Sequence, residues 1–182
     1  MTVLRRDPFA NPEPLIRRVY SYVAYRIGDG ADAEDVTSET FAQALRYRES
    51  YKNERGEPVA WLLGIARRTV AQHLAARLDT TADVPESAAA SELADDTVRK
   101  LELAQAVALL GERDRELVAL RYGADLTARQ IGELLDLGTN AVEVALHRAL
   151  ARLRQALEGE APVGDAAEPA APHPAEKLVQ EA

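Results

Sequence analysis

A chain of 182 residues has room for one ordinary domain or two small ones, and its net charge of −8 counts, taken whole, against simple electrostatic binding to nucleic acid. The absence of cysteine excludes a disulfide framework and a thiolate metal site. Abundant Ala, Leu, Arg and Glu, with aromatics at 5% and few β-branched runs, favour helices over sheets.

The opening MTVLRRDPFANPEP sets charges and prolines where a signal peptide needs an apolar core, so a soluble, cytoplasmic protein is expected. In PLIRRVYSYVAYRI, Leu15, Ile16, Val19, Val23 and Ile27 recur at helical spacing, and Gly28 and Gly30 end that helix. A second helix is expected over 31–48, with Asp32 as N-cap and Glu34 and Asp35 at the positive end of the helix dipole. Its buried stripe is Val36, Thr40, Phe41, Ala44 and Leu45. ESYKNERGEP (49–58) is polar and ends in Gly and Pro, which makes it a loop. A long helix follows from Val59 to Leu78, with Leu62, Ile65, Ala66, Thr69, Val70 and Leu74 inward.

TTADVPESAAASE (80–92) has no periodicity and is expected to be a flexible linker. An amphipathic helix starts near Asp95 and turns Val98, Leu101, Leu103, Val107 and Leu110 inward until Gly111 breaks it. Within it, the uncharged run Leu103 to Gly111 is far shorter than the roughly 20 residues that span a bilayer. ERDRELVALRYG is a further short helix, stopped by Gly123. From Glu158 the chain becomes Pro/Ala/acid low complexity that buries too little apolar area to fold alone.

The charge is unevenly spread. Residues 1–78 hold twelve Arg and Lys against ten acids, and 113–154 hold seven against six. Segment 79–112 holds eight acids and two bases, and the tail 155–182 holds six acids and one lysine. The acidity therefore lives in the connecting segment and the tail, and the two candidate domains are near neutral.

LTARQIGELLDLGTNAVEVALHRALARLRQ (126–155) has the pattern of a helix-turn-helix. Thr127 and Gln130 form a Thr-x-x-Gln capping box, Ile131, Leu134 and Leu135 face inward, and Gly132 is small where a second helix crosses. Asp136 occupies a turn position that often needs positive φ, and Thr139 or Asn140 caps the second helix. Val142, Leu146, Ala149 and Leu153 are that helix's buried side. Asn140, Glu143, His147, Arg148, Arg152 and Arg154 are left outward, where N-terminal residues of the helix can reach base edges in a major groove. Glu143 weakens phosphate binding there, yet a carboxylate can accept from cytosine N4 and so specify a base. The bland alternative is a helical hairpin whose arginines only solvate its outer face.

Taken together, DAEDVTSETF (32–41), AWLLGIARRTVAQHL (60–74), LLGERDRELVALRYGADLTARQIGELLDL and the closing LHRALARLR resemble, in order and spacing, the extracytoplasmic-function (ECF) sigma factors of bacterial RNA polymerase. The resemblance covers residues 13–78 and 95–157. It implies an all-α fold of two small helical domains: a sigma region 2 domain over 1–78 and a region 4 helix-turn-helix domain over 95–157. A flexible acidic linker (79–94) joins them and a disordered acidic tail (158–182) follows.

The function implied is promoter-specific initiation on core RNA polymerase, without enzymatic activity, cofactor or metal of its own. Asp32, Glu34, Asp35, Thr37 and Glu39 match the positions that dock on the clamp helices of polymerase's largest subunit; a second contact with the flap is implied for the other domain. Loop 49–58 matches the element that captures a flipped minus-ten base, with Asn53 as its reader, and Arg67, Arg68, Gln72, His73 and Arg77 match the adjacent DNA-facing helix. Trp61 is read as core. Thr127, Arg129, Asn140, Glu143, His147 and Arg148 match the minus-thirty-five reader, and an anti-sigma factor is an implied partner. Three positions depart from the family pattern: Glu143 stands where Lys is usual, Ala145 where Arg is, and Asp136 where Gly is.

Two rival readings follow from the residues. A sigma-like regulator could dock on polymerase or a protein partner without reading promoter DNA, which Glu143 and Ala145 favour and Arg67 and Arg68 oppose. An enzyme would need a site, but Asp32, Glu34, Glu39 and Glu49 have no metal-ligand spacing, and His73, His147 and His173 fall in separate segments.

Overall fold

The computed structural model describes residue 7 and residues 9–52, 57–79 and 95–159. Asn53, the 80–94 stretch of the linker and the tail beyond 159 lie outside the described residues. All regular structure among the described residues is helical, as the composition predicts.

Helix α1 (Pro12–Ile27) begins on a proline, whose missing N–H is no loss where first-turn donors have no helical partner. It ends at Gly28, φ 95°, which donates its N–H to Ala24 O at 2.9 Å. Helix α2 (Ala31–Arg46) starts one residue before Asp32, so Asp32 is a first-turn residue and not the N-cap. Gly30 holds the cap position with φ 130°, and its carbonyl accepts the Glu34 N–H at 3.1 Å. Val36, Thr40 and Ala44 are buried as expected, but Leu45 is 59% exposed. One residue turns about 100° round a helix, so with Ala44 against the core Leu45 points away from it. A 3-10 turn at Arg48–Ser50 follows.

Helix α3 (Pro58–Asp79) is the central element, packed against both α1 and α2. Leu62, Ile65, Ala66, Thr69 and Val70 are buried, and so are Val59 and Leu63, which a single-stripe reading misses. A helix covered from two sides has no single apolar face to find.

Helix α4 (Asp95–Leu109) buries only its last turns, at Ala106 and Val107, with Leu110 just beyond. Val98 and Leu101, expected inward, are exposed because packing covers only the helix's C-terminal half. Arg115 ties that end down by donating to Val107 O at 3.2 Å and Leu110 O at 2.8 Å. Helix α5 (Glu112–Val118) runs into a π-helical turn at Ala119–Gly123, marked by the Ala124 N–H donating to Ala119 O at 2.9 Å.

Helices α6 (Ala128–Leu135) and α7 (Thr139–Leu157) are the expected helix-turn-helix. The capping box is formed: Thr127 Oγ1 accepts the Gln130 N–H at 3.2 Å, and the Thr127 N–H donates to Gln130 Oε1 at 2.9 Å. Asp136 is left-handed, φ 57°, as expected. Gly138, not Thr139 or Asn140, holds the N-cap of α7, with no side-chain cap. Gly132 is required by the turn itself, since a Cβ there would stand 2.6 Å from Leu137 O.

The helices before and after the linker share one core. Val19, Tyr22, Val23 and Leu62 join Leu117, Leu120, Leu126 and Ile131 in a single buried cluster. Full burial of each aliphatic side chain contributes about 1.5–3 kcal/mol, so this joint face holds the two halves together.

Candidate nucleic-acid interface

Asp32, Glu34, Asp35 and Glu39 are exposed on α2 and make one acidic surface. Thr37 is not part of it: the side chain is 6% exposed and its hydroxyl has no hydrogen-bond partner among the described residues. It faces inward between Val36 and Thr40, and of the five expected docking residues it alone is covered. Asp32 leans toward α3, with Oδ2 3.4 Å from Arg77 Nη1 and 3.6 Å from His73 Nε2. An acid read as a protein-docking group and cations read as DNA-facing groups are thus partners across two helices.

The candidate minus-ten residues on α3 do not share a face. Arg68 and Gln72, four apart, are exposed together. His73 and Arg77, also four apart, turn to Asp32. Arg67 points a third way, and its Nε donates to Glu116 Oε1 of α5 at 2.8 Å. Of the candidates among the described residues, Arg68 and Gln72 are the two that stand exposed on one side of the helix. The expected base reader Asn53 lies outside the described residues; Tyr51, near the start of its loop, is buried against Trp61 with ring centres 5.5 Å apart. Trp61 also packs on Phe9 at 6.3 Å, so it is a core side chain, as read from the sequence.

On α7, Asn140, Glu143, His147 and Arg148 are all exposed and lie three, four or one residue apart, on one side of the helix. Thr127 caps α6 through its hydroxyl, and Arg129 pairs with Glu133 at 2.9 Å, both exposed. Such an i,i+4 surface pair contributes only about 0.3–0.5 kcal/mol, so it yields readily to a phosphate. Arg152, expected outward, is turned to Asp114 of α5 at 2.7 Å and fixes α7 on α5. Val144 does not figure among the sequence candidates, yet it is 52% exposed beside Asn140 and Glu143. Exposure of an apolar residue on a helix otherwise polar there was the available signal.

A second constellation escaped sequence reasoning altogether. Arg26, 5% exposed, pairs with Glu112 and Glu116, and the Tyr22 hydroxyl hydrogen-bonds Glu116 at 3.1 Å. Arg18 donates to Ala124 O at 2.6 Å and Asp125 O at 3.0 Å. The acids sit four apart on α5, as do Tyr22 and Arg26 on α1, but nothing in either spacing says that they meet.

Burial pushes the Tyr22 hydroxyl up to about 12, against the opposing pull of Arg26 and Arg67. The folded chain therefore holds this proton longer than the unfolded chain, whose tyrosine titrates near 10. Stability is complete below pH 10 and declines as pH rises toward 12, by roughly 2–3 kcal/mol at the end of that window. Urea melts across the window measure this, and Tyr22→Phe is expected to flatten the decline; an unchanged slope assigns it to another group.

Among the described residues no helix is long and apolar enough to cross a membrane. Residues 13–78 match the family profile Sigma-70 region 2, and residues 100–153 match Sigma-70, region 4. ECF RNA polymerase sigma factor BldN of Streptomyces coelicolor is 32% identical over 151 residues, 79% of this chain and 57% of the relative. ECF RNA polymerase sigma factor ShbA of Streptomyces griseus is 36% identical over 167 residues, 84% of this chain and 86% of the relative. Among solved structures, the sigma factor RpoE in complex with the anti-sigma factor NepR from Bartonella quintana superposes with a TM-score of 0.67. That match covers 81% of this chain and 94% of the other at 17% identity. CnrH in complex with the cytosolic domain of CnrY gives 0.55, over 82% and 83% of the two chains, at 22% identity.

Proposed function

This chain belongs to the sigma-70 family, among the ECF RNA polymerase sigma factors, and from that premise we propose that it binds core RNA polymerase and directs promoter-specific initiation in the cytoplasm. The acidic surface of Asp32, Glu34, Asp35 and Glu39 docks on the clamp helices of the largest subunit, where opposite charge sets register and speeds encounter. The second domain contacts the flap. Loop 49–58, with Asn53, captures a minus-ten base, Arg68 and Gln72 follow the strand beside it, and Arg67, His73 and Arg77 join them once freed from their acids. Asn140, Glu143, His147 and Arg148 read the minus-thirty-five element, with Thr127 and Arg129 at the phosphates. No catalytic group or bound metal enters this scheme. An anti-sigma protein that covers these surfaces is the expected regulator; RpoE and CnrH are each solved with a protein of their own bound.

The observation that carries the reading is the capped helix-turn-helix with four exposed polar residues on one side of α7, following an acidic docking helix on the same chain. In vitro transcription with core polymerase on genomic fragments tests it. Discrete start sites dependent on this chain are expected; polymerase binding without any start site would move the reading to a docking regulator. Within that system Glu143→Lys is expected to strengthen binding to a duplex minus-thirty-five fragment. It should also steepen the log–log salt dependence by about 0.9 for each phosphate newly contacted. An unchanged slope, measured by anisotropy over a salt series, would mean that position 143 faces no phosphate.

A further inference from the structure

We propose that segment 160–182 docks on the C-terminal half of α7, its carboxylates held by Arg148 and Arg154, and competes there with DNA phosphates. The inference rests on the reading of Arg148 as a minus-thirty-five group.

On a chain of net charge −8, the stretch of α7 from Val144 to Leu157 carries three arginines, one histidine and no acid. Arg152 is taken by Asp114 at 2.7 Å. Arg148 and Arg154 are exposed, and neither side chain has a partner among the described residues. Six positions separate them, about 9 Å along the axis and 120° round it, so one extended strand meets both by crossing the helix obliquely. Glu143, nearer the start of α7, repels an anionic strand and confines it to the later turns.

The chain just beyond supplies the opposite charge. Residues 160–182 hold five acids against one lysine. The Glu158 N–H donates to Arg154 O at 3.0 Å and Gly159 has φ 76°, a closure that turns the backbone off the helix axis. Arg148 lies about 16 Å back along that axis from Gly159. Asp165 and Glu168, six and nine residues past Gly159, can reach roughly 19 and 28 Å. Tethered at that range, the acids stand at an effective concentration on the order of millimolar. One exposed pair raises the docked population by about twofold, so two together give roughly fivefold. Arg148 cannot serve a carboxylate and a phosphate at once, and the apparent affinity for DNA falls by the same factor.

The chain has no native cysteine, so cysteines introduced at exposed Ala151 and at Ala167 take spin labels cleanly. Pulsed dipolar spectroscopy on the full chain is expected to show a short-distance population. It should vanish at about 1 M salt, where screening acts within roughly 3 Å. It should vanish equally in a variant with Glu160→Gln, Asp165→Asn, Glu168→Gln, Glu176→Gln and Glu181→Gln. A broad distribution that neither change moves would overturn the docking. The same short distance from a mixture of singly labelled chains would assign the face to a second copy and overturn docking within one chain.

Assembled with core polymerase, a chain ending at Gly159 is expected to bind a dye-labelled promoter fragment from the start-site mapping roughly fivefold tighter than the full chain. The two should converge at high salt. Equal affinity at low salt would overturn the competition. With Arg148→Ala and Arg154→Ala in both chains, truncation should change nothing; a gain that persists places the acidic segment elsewhere and overturns the site. Absence of any start site, with the distances as expected, falls on the functional reading alone.

Discussion

Gly132→Val is expected to destabilise the second half by about 3 kcal/mol and to abolish its binding to duplex DNA. The atom a Cβ would meet, 2.6 Å away, is the Leu137 carbonyl oxygen, which belongs to the turn backbone and not to a yielding side chain. That turn is held from both sides: Asp136 sits in the left-handed region, and the Leu137 N–H donates to Gly132 O at 2.9 Å. Relief requires the turn to move, and the turn aims α7. Against this, removing a glycine from a helix gains only about 0.5 kcal/mol when valine replaces it. The clash wins. Urea melts and duplex anisotropy check both parts; a variant within about 0.5 kcal/mol of the native chain would refute the steric argument.

Trp61→Ala carries the second large effect, a loss of about 3 kcal/mol with a selective defect in promoter melting. Trp61 is the meeting point of Phe9, at 6.3 Å, and Tyr51, at 5.5 Å, and Tyr51 lies near the start of the 49–58 stretch that also carries Asn53. Emptying this cluster removes the packing around Tyr51, next to the residues proposed to capture a base, while α7 is untouched. Permanganate reactivity of the melted strand should fall well before affinity for a duplex minus-thirty-five fragment does. Trp61→Phe keeps a ring in place and should restore most of both. Equal losses in melting and duplex binding would mean that Trp61 supports the whole fold and not the loop in particular.

What was legible in the sequence is what is local. The capping box at Thr127 and Gln130, the left-handed Asp136 and the breaks at Gly28 and Gly111 follow from residues within a turn of each other. Burial was legible only where a helix has a single covered face. Leu45, Val98 and Leu101 fit an inward stripe by periodicity, yet are exposed, because periodicity marks a stripe without saying how much neighbour covers it. Thr37 was placed among the docking residues because it matches the family's positions, a match that does not say which way a side chain faces; it lies between buried Val36 and Thr40.

The pairing of Glu116 with Arg26 and Arg67 was not legible at all. Its partners lie 49 or more residues away, beyond any local pattern. Two near-neutral halves joined by an acidic stretch gave no hint that their charges interlock. The candidate DNA residues were found individually, but their separation into three directions round α3 needed the positions of α2 and α5.

That three-way division of α3 has an evolutionary corollary. Positions 68 and 72 can diverge without disturbing the tie to Asp32 or the tie to Glu116. Under the proposed reading, duplicated copies of such a gene are free to acquire new target sets one side of a single helix at a time, each descendant keeping both ties while its addresses drift.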